Sequence, residues 1–184
     1  MKMQSGVDLM TVKDISEYIA FDGSDSGIER TMRQVRHWTQ CDLLRTASMK
    51  NTGKGIPRLY EEEPTMWIAA ILQELTLYGA TVDILKPVAD ELYDHWDNEA
   101  GMYLWSAQTD INAFLQVTWT LDPKTGKFCD ANIHMFDDMD KKAGENLLDE
   151  HPSSSVVVNM SMVSERIYNT PTIILEEANE VDHD

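Results

Sequence analysis

The sequence lacks the features that mark several large classes of protein. Its two cysteines, Cys41 and Cys129, are too few for the disulfide framework of a small secreted protein. It has no run of 18 apolar residues and no apolar signal core near its start, so neither a membrane span nor a secretion signal is predicted. These absences favour a reducing environment, and the predicted location is the cytoplasm.

Signatures of catalysis and of bound cofactors are also missing. The chain contains no Gly-rich phosphate loop, no G-x-S-x-G and no H-E-x-x-H, so we expect no enzyme activity and no cofactor. The acidic stretch Asp22–Gly27 lacks the ligand spacing of an EF-hand. His37 and Cys41 are four residues apart and could share a metal on a helix, but no third ligand lies near them in the sequence. No metal site is therefore predicted.

Cys129 and His134, in the second half, are not expected to form a joint site. Cys129 and His134 differ by an odd number of positions, so on one regular strand they would point to opposite faces. Cys129 is then most simply interpreted as a small core residue.

Basic residues are scarce and unevenly distributed. The chain has 32 Asp and Glu against 15 Lys and Arg, a formal charge of −17. Between Ile28 and Tyr60, however, there are seven Lys or Arg against two acids. A basic stripe on an acidic body indicates a surface for polyanions, of which DNA is the most common.

The basic stretch has the pattern of an amphipathic helix. In a helix from about Ile28 to Gln40, the apolar residues Ile28, Met32 and Val35 fall on one face. The opposite face then carries side chains that can donate hydrogen bonds to bases or phosphates, namely Arg30, Arg33, Gln34 and His37. This pattern is typical of a recognition helix in a DNA major groove.

A segment unsuited to a helix follows. Leu43 and Leu44 form an apolar stop, and the next stretch, N-T-G-K-G-I-P-R-L-Y, contains two glycines and a proline. A short loop bearing lysines between two extended arms, placed directly after such a helix, is interpreted as a wing.

The same residues resemble a known family. Val35–Leu44 (V-R-H-W-T-Q-C-D-L-L) is similar to the end of the recognition helix of MerR-type winged-helix regulators, which often read T-L-R-Y-W-E-x-x-G-L-L. Gly55–Tyr60 resembles their wing-end G-Y-R-x-Y. Thr11–Phe21 resembles the opening helix of that family. Met66–Leu85, with L-Y-G-A-T-V-D-I at Leu77–Ile84, resembles the helix pair that usually reads L-x-x-L-G-F-S-L-x-E-I. The resemblance covers about residues 10–90.

The chain departs from that family at two places. Extra residues around Asp22–Gly27 imply either a longer connection or a longer second helix. The usual glycine before Leu-Leu is Asp42, which tolerates left-handed backbone better than most residues and could still end the helix.

The resemblance suggests roles for individual residues. Arg36 and His37 match positions that contact the DNA backbone in the family, and Arg58 matches the wing-end arginine. Tyr60 would pack or bond beside Arg58, with core packing as its alternative. Trp38 is assigned to the core. The predicted DNA-binding residues are Arg30, Arg33, Gln34, Arg36, His37, Arg45, Lys50, Asn51, Lys54, Arg58 and Tyr60.

Further helices are predicted on either side of this region. Thr11 can cap a helix from Val12 to about Phe21, and Glu61–Pro64 starts another that Gly79 ends. Thr81 can cap the next helix, in which Pro87 predicts a break or a kink.

The second half has the alternation of strands. Residues 102–108, residues 113–121 and the stretch after the turn Leu121–Lys127 are rich in aromatic and β-branched residues. A helix is predicted over Asp137–Glu150, followed by a third clear strand from Ser155 to Val163 that could continue to Ile167. The predicted fold is α+β, with an N-terminal winged helix-turn-helix domain (1–100), a small antiparallel-sheet α+β domain (101–170) and an acidic tail (171–184).

Together these features predict a sequence-specific regulator that binds double-stranded DNA as a homodimer and has no membrane partner. One short helix and wing bury too little surface for specificity, so a second copy is expected. Because the dimerisation helix of the family is not evident, the strand Ser155–Val163 is a candidate dimer edge. The alternative is an acidic protein-interaction adaptor or a DNA-mimic antagonist on the same scaffold, which the charge of −17 favours.

Overall fold

The architecture is that of an α+β protein. The computed structural model describes residues 8–48, 56–96, 113–136 and 154–168. Within those ranges it contains five helices, a two-stranded sheet and a three-stranded sheet, both antiparallel. The predicted α+β class is therefore confirmed.

The first helix begins as the sequence predicts. Strand β1 (Leu9–Thr11) leads into α1 (Val12–Ile19), and Thr11 and Asp14 form a reciprocal capping box. The Thr11 backbone N–H donates to Asp14 Oδ2 at 2.7 Å, and the Asp14 N–H donates to Thr11 Oγ1 at 3.4 Å. These bonds satisfy amide groups that have no partner inside the helix.

The second helix starts earlier than predicted. Helix α2 spans Asp25–Gln40, because the Ser24 hydroxyl accepts a hydrogen bond from the Gly27 N–H at 3.2 Å. Of the extra residues, 25–27 therefore belong to the helix and 22–24 remain in the connection. Gly27 lies so close to the preceding turn that an added Cβ would be 2.2 Å from the Asp22 carbonyl oxygen.

The buried face of α2 differs from the predicted one. Ile28 and Met32 are only half-buried, and of the three apolar residues assigned to this face, Val35 alone is buried. The two threonines of the observed face can be buried because Thr31 and Thr39 donate to the carbonyls of Gly27 and Val35, at 3.1 and 2.9 Å. Because the prediction used only apolar residues, it placed the buried face on a different side of the helix from the observed one. The residues that α2 buries are Gly27, Thr31, Val35, Trp38 and Thr39.

The exit of α2 behaves as predicted. Asp42 adopts a left-handed backbone with φ of 61°. The Leu43 N–H donates to the Trp38 carbonyl at 2.9 Å and the Asp42 N–H donates to the Thr39 carbonyl at 3.3 Å, which is a Schellman ending with aspartate in place of glycine. Leu43 and Leu44 are then fully buried.

The third and fourth helices complete the N-terminal part. Strand β2 (Leu59–Glu61) pairs antiparallel with β1 and continues into α3 (Glu62–Leu77). Gly79, with φ of 84°, follows the end of α3 as predicted. Helix α4 (Val82–His95) continues through Pro87, so the predicted break is wrong.

The second half contains the three-stranded sheet. Strands β3 (Phe114–Leu121), β4 (Phe128–Phe136) and β5 (Ser154–Asn159) are arranged in the order β4-β3-β5. Strands β3 and β4 are joined by the predicted turn, in which the Asp122 N–H donates to the Lys127 carbonyl at 2.8 Å.

The strand predicted to continue to Val163 or Ile167 ends at Asn159 instead. Residues 160–168 form a helix, α5. The Asn159 carboxamide oxygen accepts from the N–H groups of Ser161 and Met162, at 3.0 and 3.4 Å, and this side-chain cap ends the strand and begins the helix.

Cys129 is exposed, which corrects its assignment to the core. The pairing of β3 with β4 shifts between Thr120, which faces Asp130, and Leu121, which faces Phe128. Cys129 is the extra residue of this bulge, and a bulge breaks the alternation on which the prediction relied. Both Cys129 and His134 consequently face solvent.

The two halves share a hydrophobic core. Buried residues from α1 to α4 form one cluster with buried residues of the sheet and of α5. The Trp119 indole Nε1 donates to the Ile84 carbonyl at 3.1 Å and so joins β3 to α4.

Several predictions lie outside the described residues. They are the strand at 102–108, the helix at Asp137–Glu150, the boundary at Asn98–Gly101 and the tail at 171–184. Across the described ranges, no helix has both the length and the apolar composition needed to cross a membrane.

Candidate nucleic-acid interface

The outer face of α2 carries a line of arginines. Arg30, Arg33 and Arg36 are all exposed and follow one another at intervals of three residues, with His37 beside them. Three arginines at this spacing cover about 9 Å along the helix axis, since each residue adds about 1.5 Å. The opposite face of α2 is anchored in the core, so the direction of the arginine side is fixed.

These arginine charges are not neutralised locally. Among the described residues, the ion pairs within 4 Å involve other cations and none of these three arginines. Asp22 interacts with Arg30: hydrogen bonds from Ser24, and to a smaller extent Arg30, hold the pKa of this carboxyl below its ordinary value. Glu29 lies on the exposed side of the same helix. The outer face is thus predominantly positive on a strongly acidic chain.

Gln34 lies at the edge of this face. It is half-buried, and its Nε2 is 3.5 Å from Thr76 Oγ1 at the end of α3. The side chain therefore lies on the flank of α2 that faces α3, whereas the prediction placed it on the exposed face with Arg30, Arg33 and His37.

Gln40 is a residue of this face that the sequence-based selection missed. It is exposed and lies seven positions after Arg33, which returns it to the same side of α2. Helical spacing alone could have identified it.

His37 and Cys41 are neighbours at the C-terminal end of α2. The Cys41 sulfur lies 3.8 Å from Nδ1 and 3.9 Å from Nε2 of the imidazole. Within the described ranges, no three His, Cys, Asp or Glu side chains come close enough to hold a metal ion. The pair therefore presents two possible ligands.

Arg45 is held by α4. Its backbone N–H donates to the Tyr93 hydroxyl at 3.0 Å, its guanidinium Cζ lies 4.2 Å from the centre of the Tyr93 ring, and its Nη2 is 3.8 Å from Asp94 Oδ1. The side chain remains about half exposed. Arg45 thus contributes less free positive charge than the arginines of α2.

The arms of the predicted wing meet at its base. The Ala47 N–H donates to the Leu59 carbonyl at 2.9 Å, and the Leu59 N–H donates to Ser48 Oγ at 3.1 Å. The predicted contact residues Lys50, Asn51 and Lys54 lie between these arms, outside the described residues. Arg58 is half-buried on the returning arm.

Tyr60 belongs to the core, which corrects its place among the DNA contacts. The side chain is fully buried, and its hydroxyl lies 2.7 Å from Thr39 Oγ1 of α2. Burial raises the pKa of Tyr60 above its ordinary value of 10.0, although the Thr39 hydrogen bond, Arg58 and Arg36 each act to lower it. Tyr60 therefore joins the returning arm to α2. Trp38 is buried, as predicted.

Comparison with known proteins adds no assignment to this geometry. The sequence matches no protein-family model, and no curated protein is significantly similar to it.

Proposed function

We propose that the protein binds double-stranded DNA through the outer face of α2 and acts as a transcriptional regulator. The observation that carries this proposal is the line of Arg30, Arg33 and Arg36, exposed and without a carboxylate partner within 4 Å among the described residues. An acidic protein gains no solubility from grouping its scarce cations on one helix face, whereas a polyanion would bind them.

The shape of the region fits a duplex. A helix can enter the major groove, where arginine pairs with guanine and also contacts phosphates. The Tyr60–Thr39 contact fixes the returning arm beside α2, and the sequence between the two arms includes Lys50 and Lys54. The resemblance to the wing and recognition helix of MerR-type regulators supports the same arrangement.

A dimer is part of the proposal. One helix offering a few contacts gives low specificity, and regulators of this kind bind two half-sites with two copies. Interactions carried mainly by arginine and phosphate also predict a strong dependence on salt.

The test is fluorescence anisotropy with genomic duplex fragments at increasing salt, starting from about 50 mM, where phosphate contacts are strong. We expect the wild-type protein to bind at low salt and to be released as salt rises. The double variant Arg33→Ala/Arg36→Ala should lose specific binding while keeping its fold and its unfolding midpoint.

The matched control is Lys124→Ala/Lys127→Ala. It removes the same amount of charge from the exposed β3–β4 turn, so it should bind nearly as well as the wild-type protein. An equal loss of binding in both variants would show that net charge, and not the α2 face, governs the interaction. Absence of binding by the wild-type protein at low salt would overturn the proposal and favour the acidic protein-interaction adaptor.

A further inference from the structure

Arg166, in α5, contacts two parts of the molecule that adjoin α2. Its guanidinium forms an ion pair with Glu74 of α3, and Cζ lies 4.1 Å from the ring centre of Phe21, in the connection between α1 and α2. The side chains of Arg166 and Glu74 are 16% and 15% exposed. Water therefore screens this pair less than the surface ion pairs of the molecule.

Both contacts involve residues that lie close to the arginine-bearing helix α2. Glu74 is two residues before Thr76, whose hydroxyl faces Gln34 of α2 at 3.5 Å. Phe21 is three residues before Ser24, the residue that caps α2. One side chain of α5 thus contacts both the connection that precedes α2 and the helix that lies beside its flank.

Helix α5 is itself fixed to the rest of the fold. Val163 and Ile167 are fully buried in the shared core, and Tyr168 packs edge-on to Trp67 of α3 at 6.2 Å between ring centres. Asn159 caps the helix directly after β5, so a displacement of β5 would be carried to Arg166.

We propose that Arg166 is a positioning residue that makes the orientation of α2 depend on α5 and its sheet. A ligand or partner that moved the C-terminal part would then change the arginine face without touching it. The part of this inference that concerns the regulation of DNA binding rests on the proposed function. The mechanical link between α5 and α2 does not.

The test compares hydrogen exchange at the start of α2 with exchange in β3. In Arg166→Gln, amides of residues 22–34 should exchange about tenfold faster than in the wild type, a factor typical of coupled sites. Amides of Leu115–Trp119 report global opening and should change much less. The control Lys86→Gln removes the cation of the Lys86–Asp90 ion pair on α4. It should leave the ratio of exchange in residues 22–34 to exchange in Leu115–Trp119 unchanged.

If Arg166→Gln does not fold, a second variant can be measured in its place. Phe21 is 47% exposed, so Phe21→Ala removes the ring contact with Arg166 with little loss of core, and we expect it to raise exchange in the same residues. Equal acceleration of α2 and β3 in the folded variants would show that Arg166 only stabilises the fold, and would overturn the inference.

DNA binding provides the second measurement. If the wild-type protein binds DNA, Arg166→Gln should weaken binding about tenfold although it removes no residue of the arginine face. If the wild-type protein does not bind, the proposed function fails, and the exchange ratio still decides whether α5 positions α2.

Discussion

Helices α2 and α3 are equally long and have opposite environments. Each has 16 residues, but α3 buries ten of them and α2 only five. Helix α3 contacts α1, α4, β2 and β5, whereas α2 contacts the core along one stripe and exposes its arginines on the other. The stability of the molecule should therefore depend on α3, and its interactions with other molecules on α2.

The largest expected effect lies in α3. Trp67 is 2% exposed, so Trp67→Ala leaves a large cavity and should lower the free energy of unfolding by about 3–5 kcal/mol. Arg33→Ala in α2 removes an exposed side chain and should change that free energy by less than about 0.5 kcal/mol. Urea unfolding of both variants measures the contrast. Equal losses would contradict the division between a supporting helix and an interacting one.

A smaller effect is expected where α2 begins. Gly27→Ala places a Cβ 2.2 Å from the Asp22 carbonyl oxygen and should cost about 1–3 kcal/mol, despite the better helix propensity of alanine. The comparison is Gly126→Ala. No atom lies within 4 Å of its added Cβ, so any loss of stability there comes from its positive φ and not from a steric clash. Urea unfolding gives both values. An increase in stability for Gly27→Ala would show that Asp22 and the turn can move aside.

A smaller loss than at Gly27 is expected at the contact between the returning arm and α2. Tyr60→Phe removes the hydroxyl that faces Thr39 and should cost about 1 kcal/mol, because Thr39 keeps its bond to the Val35 carbonyl. Urea unfolding near neutral pH measures this loss.

Tyr60 should also make the free energy of unfolding depend on pH in the alkaline range. Burial raises the pKa of both Tyr60 and Tyr93 above 10.0, so the unfolded chain loses these protons at lower pH than the folded one. Stability should be complete below about pH 10 and should fall as the pH rises beyond it. Urea unfolding across this range should show a shallower fall in Tyr60→Phe. Tyr78→Phe, at a tyrosine that is 67% exposed, should follow the wild type.

Local signals predicted much of the N-terminal part. The capping box at Thr11, the acidic start of α3 and the left-handed Asp42 each depend on a few neighbouring residues. Interactions of this kind are set by local chemistry, so the sequence contains them in readable form.

The incorrect predictions come from interactions that a pattern of apolar residues does not show. The buried face of α2 was predicted from apolar residues alone, and the threonines that replace them are buried because they bond to their own helix. Asn159 was interpreted as part of a strand, although its side chain caps the helix that follows. Cys129 was assigned to the core as a small residue, although it is the exposed extra residue of a bulge.

The candidate interface shows the same division. Periodicity identified Arg30, Arg33 and Arg36, which are indeed exposed together on one side of α2. It could not show that α4 holds Arg45, that Tyr60 is buried against Thr39 or that Gln34 faces Thr76. Those contacts join residues 21 to 48 positions apart in the chain, and no local pattern encodes them.

By itself, the sequence determined the α+β class, most of the helix starts and the concentration of positive charge in one stretch. Backbone chemistry and composition act over a few residues, so these properties hold in whatever way the elements later pack. Only the tertiary structure decided which side of α2 is exposed and that α4 holds Arg45, which follows the end of α2. It also decided that Arg166 lies between Glu74 and Phe21, because burial and pairing depend on segments that meet only when the chain is folded.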